Sequence, residues 1–233
     1  MYLWVIIATF IAALAALGTS LRSDIRSVTV SPQAQSVATK LYTQHHGLIN
    51  YTFARMGTGA DGKADFAPGV WNPAEHQGYV PYGFKSDSGI AQFTSEIFCL
   101  NNGGTGLPAG CQAAGGGAIP GKNCCAESGA RVYVVTYGKI PLKWQDTRSG
   151  HPSEGLLRAM RDSSGYVNGM GYTVFREDYK DNKTVQEYSG GESMGILSQG
   201  QTSYIPIPKY ITENDPFKST CTNNHCLIYM SNI

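Results

Sequence analysis

The stretch SLRSDIRSVTVSPQAQ, residues 20–35, separates two unlike parts of the chain. Residues 1–21 contain no charged side chain, whereas the sequence from Arg22 onward is polar and rich in glycine and proline. A helix of about 20 apolar residues is long enough to cross the hydrocarbon core of a bilayer. We therefore predict a transmembrane anchor (1–21), a linker with an amphipathic helix (22–56) and a globular domain (57–233).

The apolar segment has the side chains expected of a membrane helix. Tyr2 and Trp4 lie at one end, and amphipathic rings favour the level of the lipid headgroups. A secretory signal peptide, cleaved after ALA or ALG, is the alternative, but the usual basic region is missing before Arg22. A retained anchor is therefore preferred, with small residues that would let another helix approach closely: Ala8, Ala12, Ala13, Ala15, Ala16 and Gly18.

The next segment, QAQSVATKLYTQHHGLINYTFARM (33–56), predicts an amphipathic helix. Ser31 is a suitable N-cap, and Pro32 suits the first helical position. Gly47 is expected to weaken the middle of the helix by up to about 1 kcal/mol. Apolar residues recur at helical spacing and define one face: Val37, Leu41, Leu48 and Phe53.

The rest of the chain predicts short strands, short helices and loops, and therefore an α+β fold. An N-terminal transmembrane helix and an amphipathic helix would pack with a small antiparallel sheet that carries disulfide-stapled loops. Residues 88–100 fit either a helix or a strand. The clearer elements are strands at 130–140 and 225–233, a helix at 153–162 with Gly165 beyond its end, and a hairpin of 171–178 with 184–189. Residues 202–211 are expected to be extended but interrupted by proline, and so to lie on a sheet edge or in a packed loop.

Six cysteines predict structural disulfides and an oxidising compartment. Cys221 and Cys226 enclose the turn-forming sequence TNNH, so a local bridge is expected between them. Zinc is the alternative, but no Cys-x-x-Cys pair is present. The pairing among the other four cysteines stays open: Cys99, Cys111, Cys124 and Cys125.

The cysteines place the globular domain outside the cytoplasm. Arg22 and Arg26 argue the other way, because basic residues beside a membrane helix tend to stay in the cytoplasm. Asp24 balances part of this charge, so the cysteines decide the prediction.

The sequence offers little support for catalysis, metal binding or nucleic-acid binding. The net charge is +1 and the basic residues are scattered, whereas nucleic-acid binding needs a basic stripe. The Asp and Glu residues are scattered, and pairs such as Glu177 with Asp178 are expected by chance in a chain of this size. His45 and His46 are adjacent, so on a helix they cannot hold one ion from the same face. We expect a non-enzymatic protein without a cofactor.

The segments MYLWVIIATFIAALAALG (1–18) and QSVATKLYTQHHGLINY (35–51) resemble the pilin-like proteins of type IV pili and type II secretion. The resemblance is strongest to the PilM-like membrane-anchored proteins of type IVb, or thin-pilus, systems. GYVPYGF (78–84) and YIPIPKYI (204–211) fit it more loosely. Mature type IV pilins have Glu as the fifth residue, where this chain has Val5.

This resemblance implies a minor pilin or a pilus-biogenesis accessory protein rather than a major pilin. It would lie in the bacterial inner membrane with a periplasmic domain, or outside the cell as part of a pilus. Its partners would be pilus or secretion-apparatus subunits and the lipid bilayer, in a homo-oligomer or filament, with no nucleic acid. The alternative is a secreted or periplasmic adhesin or enzyme whose N-terminal signal is cleaved.

Overall fold

The structure is a computed structural model that describes residues 30–59, 62–86, 89, 91–114, 117–146, 150–165, 169–175, 194–198, 205–221 and 225–233. The predicted anchor (1–21) lies outside these ranges, as does the linker as far as residue 29. None of the helices within them combines the length and the apolar character needed to cross a bilayer.

Helix α1 spans Pro32–Arg55 and confirms the predicted amphipathic helix. The Ser31 hydroxyl accepts a hydrogen bond from the Ala34 amide at 3.1 Å, as expected of an N-cap. Phe53 was predicted on the buried face, but it is 58% exposed. Thr52 takes the core position one helical turn after Leu48, and the next residue points about 100° away.

Seven strands form a single antiparallel sheet, which is larger than the sequence suggests. The strands are β1 Gly69–Trp71, β2 Thr94–Leu100, β3 Arg131–Lys139, β4 Met170–Phe175, β5 Met194–Leu197, β6 Ile205–Pro206 and β7 Cys226–Asn232. Their order across the sheet is β1, β2, β3, β7, β4, β5 and β6.

The strands at 130–140 and 225–233 are confirmed as β3 and β7, and residues 88–100 contribute a strand, β2. Strand β4 pairs with β5, whereas the predicted hairpin partner at 184–189 lies outside the described residues.

Three short helices complete the described fold: α2 Glu154–Ser164, α3 Lys209–Glu213 and α4 Phe217–Cys221. Helix α2 is the predicted one and ends at Gly165, which adopts a φ of +61°. Residues 202–211 were predicted to be extended, but α3 begins at Lys209. Within the described part of this segment, from residue 205 onward, β6 is extended and lies at the sheet edge, which was one of the two predicted placements. Pro208 supplies the fixed backbone from which α3 starts.

Both faces of the sheet are covered. Helices α1 and α2 pack on the first face, where Leu41 and Leu156 lie in one cluster with Tyr229 of β7. Residues 205–221 cover the second face, where Ile211 and Phe217 pack with strand side chains. Because side chains alternate along a strand, neighbouring residues of β2 and β3 face opposite layers.

All six cysteines are paired. Cys221 is bonded to Cys226, which confirms the predicted local bridge. Of the other two bridges, Cys99–Cys125 links the end of β2 to the glycine-rich segment that follows it, and Cys111–Cys124 joins two points within that segment.

Candidate functional site

The predicted membrane and assembly residues lie outside the described part of the chain, so their role stays a prediction. They are Tyr2, Trp4, Val5, Ala8, Ala12, Ala15, Ala16 and Gly18. The described domain supplies three features that could serve function. One is the contact that fixes α1 to the sheet, the second is a buried carboxyl on the opposite face, and the third is an open groove beside α1.

A polar layer fixes α1 to the sheet. We use this name for Gln44 and His45 of α1 with Ser95, Thr136 and Ser231 of the strands. The Gln44 amide donates to the Ser95 hydroxyl at 3.0 Å and to the backbone oxygen of Phe93 at 2.9 Å. The His45 ring lies 3.2 Å from the Thr136 hydroxyl through Nδ1 and 2.9 Å from the Ser231 hydroxyl through Nε2.

The hydrogen bonds of the polar layer form a consistent chain. Ser95 Oγ lies 2.9 Å from Thr136 Oγ1 and already accepts from Gln44. Ser95 can therefore donate to Thr136, which can donate to Nδ1 of His45. The proton of His45 then lies on Nε2 and is donated to Ser231. In this arrangement the hydroxyl groups of Ser95 and Thr136 both donate their hydrogen, and the imidazole of His45 must be neutral.

Burial keeps His45 neutral. Desolvation, followed by the nearby His46, holds the pKa of His45 well below its ordinary value of 6.5. The imidazole also stacks on Tyr229 with 3.9 Å between ring centroids. Burial raises the pKa of Tyr229 to about 12, so this ring stays neutral as well. The polar layer is therefore an uncharged contact that specifies one position of α1 on the sheet.

The second feature lies on the opposite face of the sheet. Glu96 follows Ser95 in β2 and is only 2% exposed. Burial raises the pKa of the Glu96 carboxyl to about 7, and the Tyr137 hydroxyl partly offsets the rise. Their contact falls short of hydrogen-bond geometry, since neither Glu96 Oε2 nor the Tyr137 oxygen has a hydrogen-bond partner in the described structure. Burial and the neighbouring carboxyl also raise the pKa of Tyr137.

The third feature, which we call the groove, is a cavity of about 900 Å³ lined by side chains within residues 72–86. Its loop is held against α1 at Gly47, where an added Cβ would lie 2.5 Å from Val80 Cγ1. The glycine that was expected only to weaken α1 is therefore what allows this close approach.

Aromatic rings hold the segment that supplies the groove in place against α1. The Tyr51 ring of α1 lies 4.5 Å from the His76 ring and 5.3 Å from the Tyr79 ring between centroids. His76 in turn stacks on Trp71, which ends β1. The groove is thus built on a packed base.

No metal centre is apparent in the described ranges, where no three His, Cys, Asp or Glu side chains come together to hold an ion. The expectations of no cofactor and no catalysis stay predictions. Comparison with protein families, with curated proteins and with solved structures gave no match.

Sequence reasoning missed the polar layer and Glu96. One signal for Glu96 was available: it is the only charged residue between Thr94 and Leu100, a segment otherwise suited to burial. The expectation that His45 and His46 do not hold one ion together stays a prediction; the structure buries His45 and stacks its ring on Tyr229.

Proposed function

We propose that the chain is a non-enzymatic, membrane-anchored subunit of a type IV pilus or a related envelope apparatus, either a minor pilin or an accessory protein. Residues 1–21 would hold it in the inner membrane, and the domain would lie in the periplasm or on the pilus. One observation carries the proposal. The uncharged N-terminal segment leads, within a short linker, into a helix that is fixed to a disulfide-linked domain.

The polar layer supports a mechanical role for α1. The position of the anchor determines the position of the domain only if α1 cannot slide on the sheet. Gln44 and His45 satisfy hydrogen-bond partners on three strands, β2, β3 and β7, so a shift of α1 would break several buried bonds at once. The domain would therefore follow its anchor as one body during assembly.

Membrane fractionation tests the anchor. Leu14→Arg places a charge in the middle of the apolar segment, which costs about 2.5–3.5 kcal/mol on insertion scales. We expect this variant to leave the membrane fraction, while Leu14→Phe, which stays apolar, remains there. An unchanged distribution of the Leu14→Arg protein would contradict the proposal.

N-terminal sequencing of the protein from cell envelopes separates the proposal from its alternative. A mature chain that begins near Thr19 would support a secreted or periplasmic protein with a cleaved signal. A retained segment together with co-purified pilus subunits would support the assembly role. Six free thiols in protein taken from cells would contradict the periplasmic location.

A further inference from the structure

The groove presents one aromatic ring completely to solvent. Tyr82 has a relative exposure of 107%. It lies at the corner of a tight turn, in which the Phe84 amide donates to the Pro81 oxygen at 3.0 Å and Gly83 has a φ of +79°. A positive φ at this third position is typical of a type II turn, and proline at its first residue further limits the backbone. The ring is thus held outward by a defined turn rather than by a loose loop.

The groove also offers an available amide. Gln77 is exposed, and its side chain makes no hydrogen bond within the described part of the chain. Asn72, the other amide in the groove, is already engaged: it donates to the Glu75 carboxylate at 2.9 Å and accepts from the Ala74 amide. Gln77 can therefore give both a donor and an acceptor to a ligand.

The charge and size of the groove restrict the ligand. Lys85 is the only charged side chain among the described residues that line the groove, so these residues offer a strongly charged partner no complementary cluster. The volume of about 900 Å³ falls within the usual range of small-ligand sites, about 300–1,000 Å³. The ligand expected is neutral, has an apolar face for an aromatic ring and has hydroxyl groups at its edge for an amide.

We propose that the groove binds a neutral saccharide. The C–H face of one pyranose ring packs on Tyr82, and its hydroxyl groups exchange hydrogen bonds with the Gln77 amide. Phe84, which is half-buried beside the turn, provides further apolar surface for the sugar. This inference goes beyond the assembly role, because it needs neither the anchor nor a partner subunit.

Saturation-transfer NMR on the full chain tests the site. The protein is kept in a detergent without a sugar headgroup, and the probes are cellotriose, maltotriose and the β-1,4-linked trimer of N-acetylglucosamine. We expect transfer to the ring protons of at least one trisaccharide. Tyr82→Ala should weaken its binding about tenfold, and Tyr82→Phe should retain it, because the loss of an aromatic contact accounts for such a factor. Gln77→Ala should also weaken binding.

Leu142→Ala serves as the matched control, since Leu142 is 85% exposed and lies outside the groove. Its binding should equal that of the unchanged chain. Circular dichroism should show all variants folded, as these side chains are exposed. A decaproline peptide is tested in parallel.

Three results would overturn the proposal. They are transfer to none of the three saccharides, binding that Tyr82→Ala leaves unchanged, and binding of decaproline in place of the saccharides. The last result would make the groove a peptide site. None of them bears on the membrane anchor, so the proposed function would be unaffected.

Discussion

Replacing Glu96 by Gln should change how the stability of the domain depends on pH. The carboxyl is 2% exposed, and burial raises its pKa to about 7 from an ordinary value of 4.5. Glutamine has nearly the same shape but does not titrate. Glu96→Gln therefore removes the ionisation and leaves the packing in place.

The size of the effect follows from the difference between the folded and unfolded states. Below about pH 4.5 the carboxyl is protonated in both states, and its contribution to stability is fully present. As the pH rises from about 4.5 to 7, the carboxyl ionises in the unfolded chain but stays protonated in the folded chain, so stability is lost until the folded carboxyl also ionises near pH 7. A pKa change from 4.5 to about 7 corresponds to at most about 3 kcal/mol.

The assay is urea unfolding of the full chain, with disulfides intact, at pH 4.5 and pH 8. The free energy of unfolding of Glu96→Gln, relative to the unchanged chain, should increase by about 2–3 kcal/mol between these two pH values. This comparison is needed because His45 acts in the opposite direction. Acidification favours unfolding because the His45 imidazole takes up a proton in the unfolded chain but resists it in the folded chain, which masks part of the Glu96 effect in the unchanged chain.

Glu213→Gln is the control. Glu213 is exposed and paired with Lys209 at 3.5 Å within one turn of α3, so its replacement should change stability by less than about 0.5 kcal/mol at either pH. The reasoning would be refuted if Glu96→Gln tracked the unchanged chain at a constant difference. A carboxyl carbon NMR signal of Glu96 that titrates near 4.5 would refute it directly.

Three further changes test the fold. The unchanged chain should lose stability as the pH falls below about 6.5, by at most about 1.4 kcal/mol per pH unit, and His45→Asn should abolish this loss. If the variant's stability in urea unfolding depended on pH with the same slope, a neutral His45 would be contradicted. Gly47→Ala should destabilise the domain by about 1–3 kcal/mol despite better helix propensity, because its Cβ would lie 2.5 Å from Val80 Cγ1. Adding Val80→Ala should recover part of that loss in thermal unfolding, and purely additive effects would disprove the contact. Replacing Cys99 and Cys125 by Ala should cost about 3 kcal/mol in urea unfolding, because the bridge closes 26 residues; an unchanged midpoint would be inconsistent with this.

The sequence predicted those features that are encoded within a few neighbouring residues. Ser31 with Pro32 marked the start of α1, and Gly165 marked the end of α2. The short loop between Cys221 and Cys226 predicted their bridge. Each of these depends on local backbone geometry or chain length, which a short stretch determines.

Features that depend on distant residues could not be predicted. Gln44 and Ser95 are 51 positions apart, and His45 and Ser231 are 186 apart, so the polar layer exists only after the strand order is known. Gly47 was misjudged for the same reason. Its small size matters because Val80, from a loop with no periodic pattern, packs against it.

The position of β7 has a consequence for biosynthesis. Strands β3 and β4 each pair with β7 and not with each other, so the sheet consists of two halves that residues 226–232 join. Until those residues have left the ribosome, each half carries an unpaired inner edge of backbone groups that attracts other strands. A stop codon before residue 226 would thus produce two incomplete sheets rather than a shortened domain, and each would expose an edge open to aggregation.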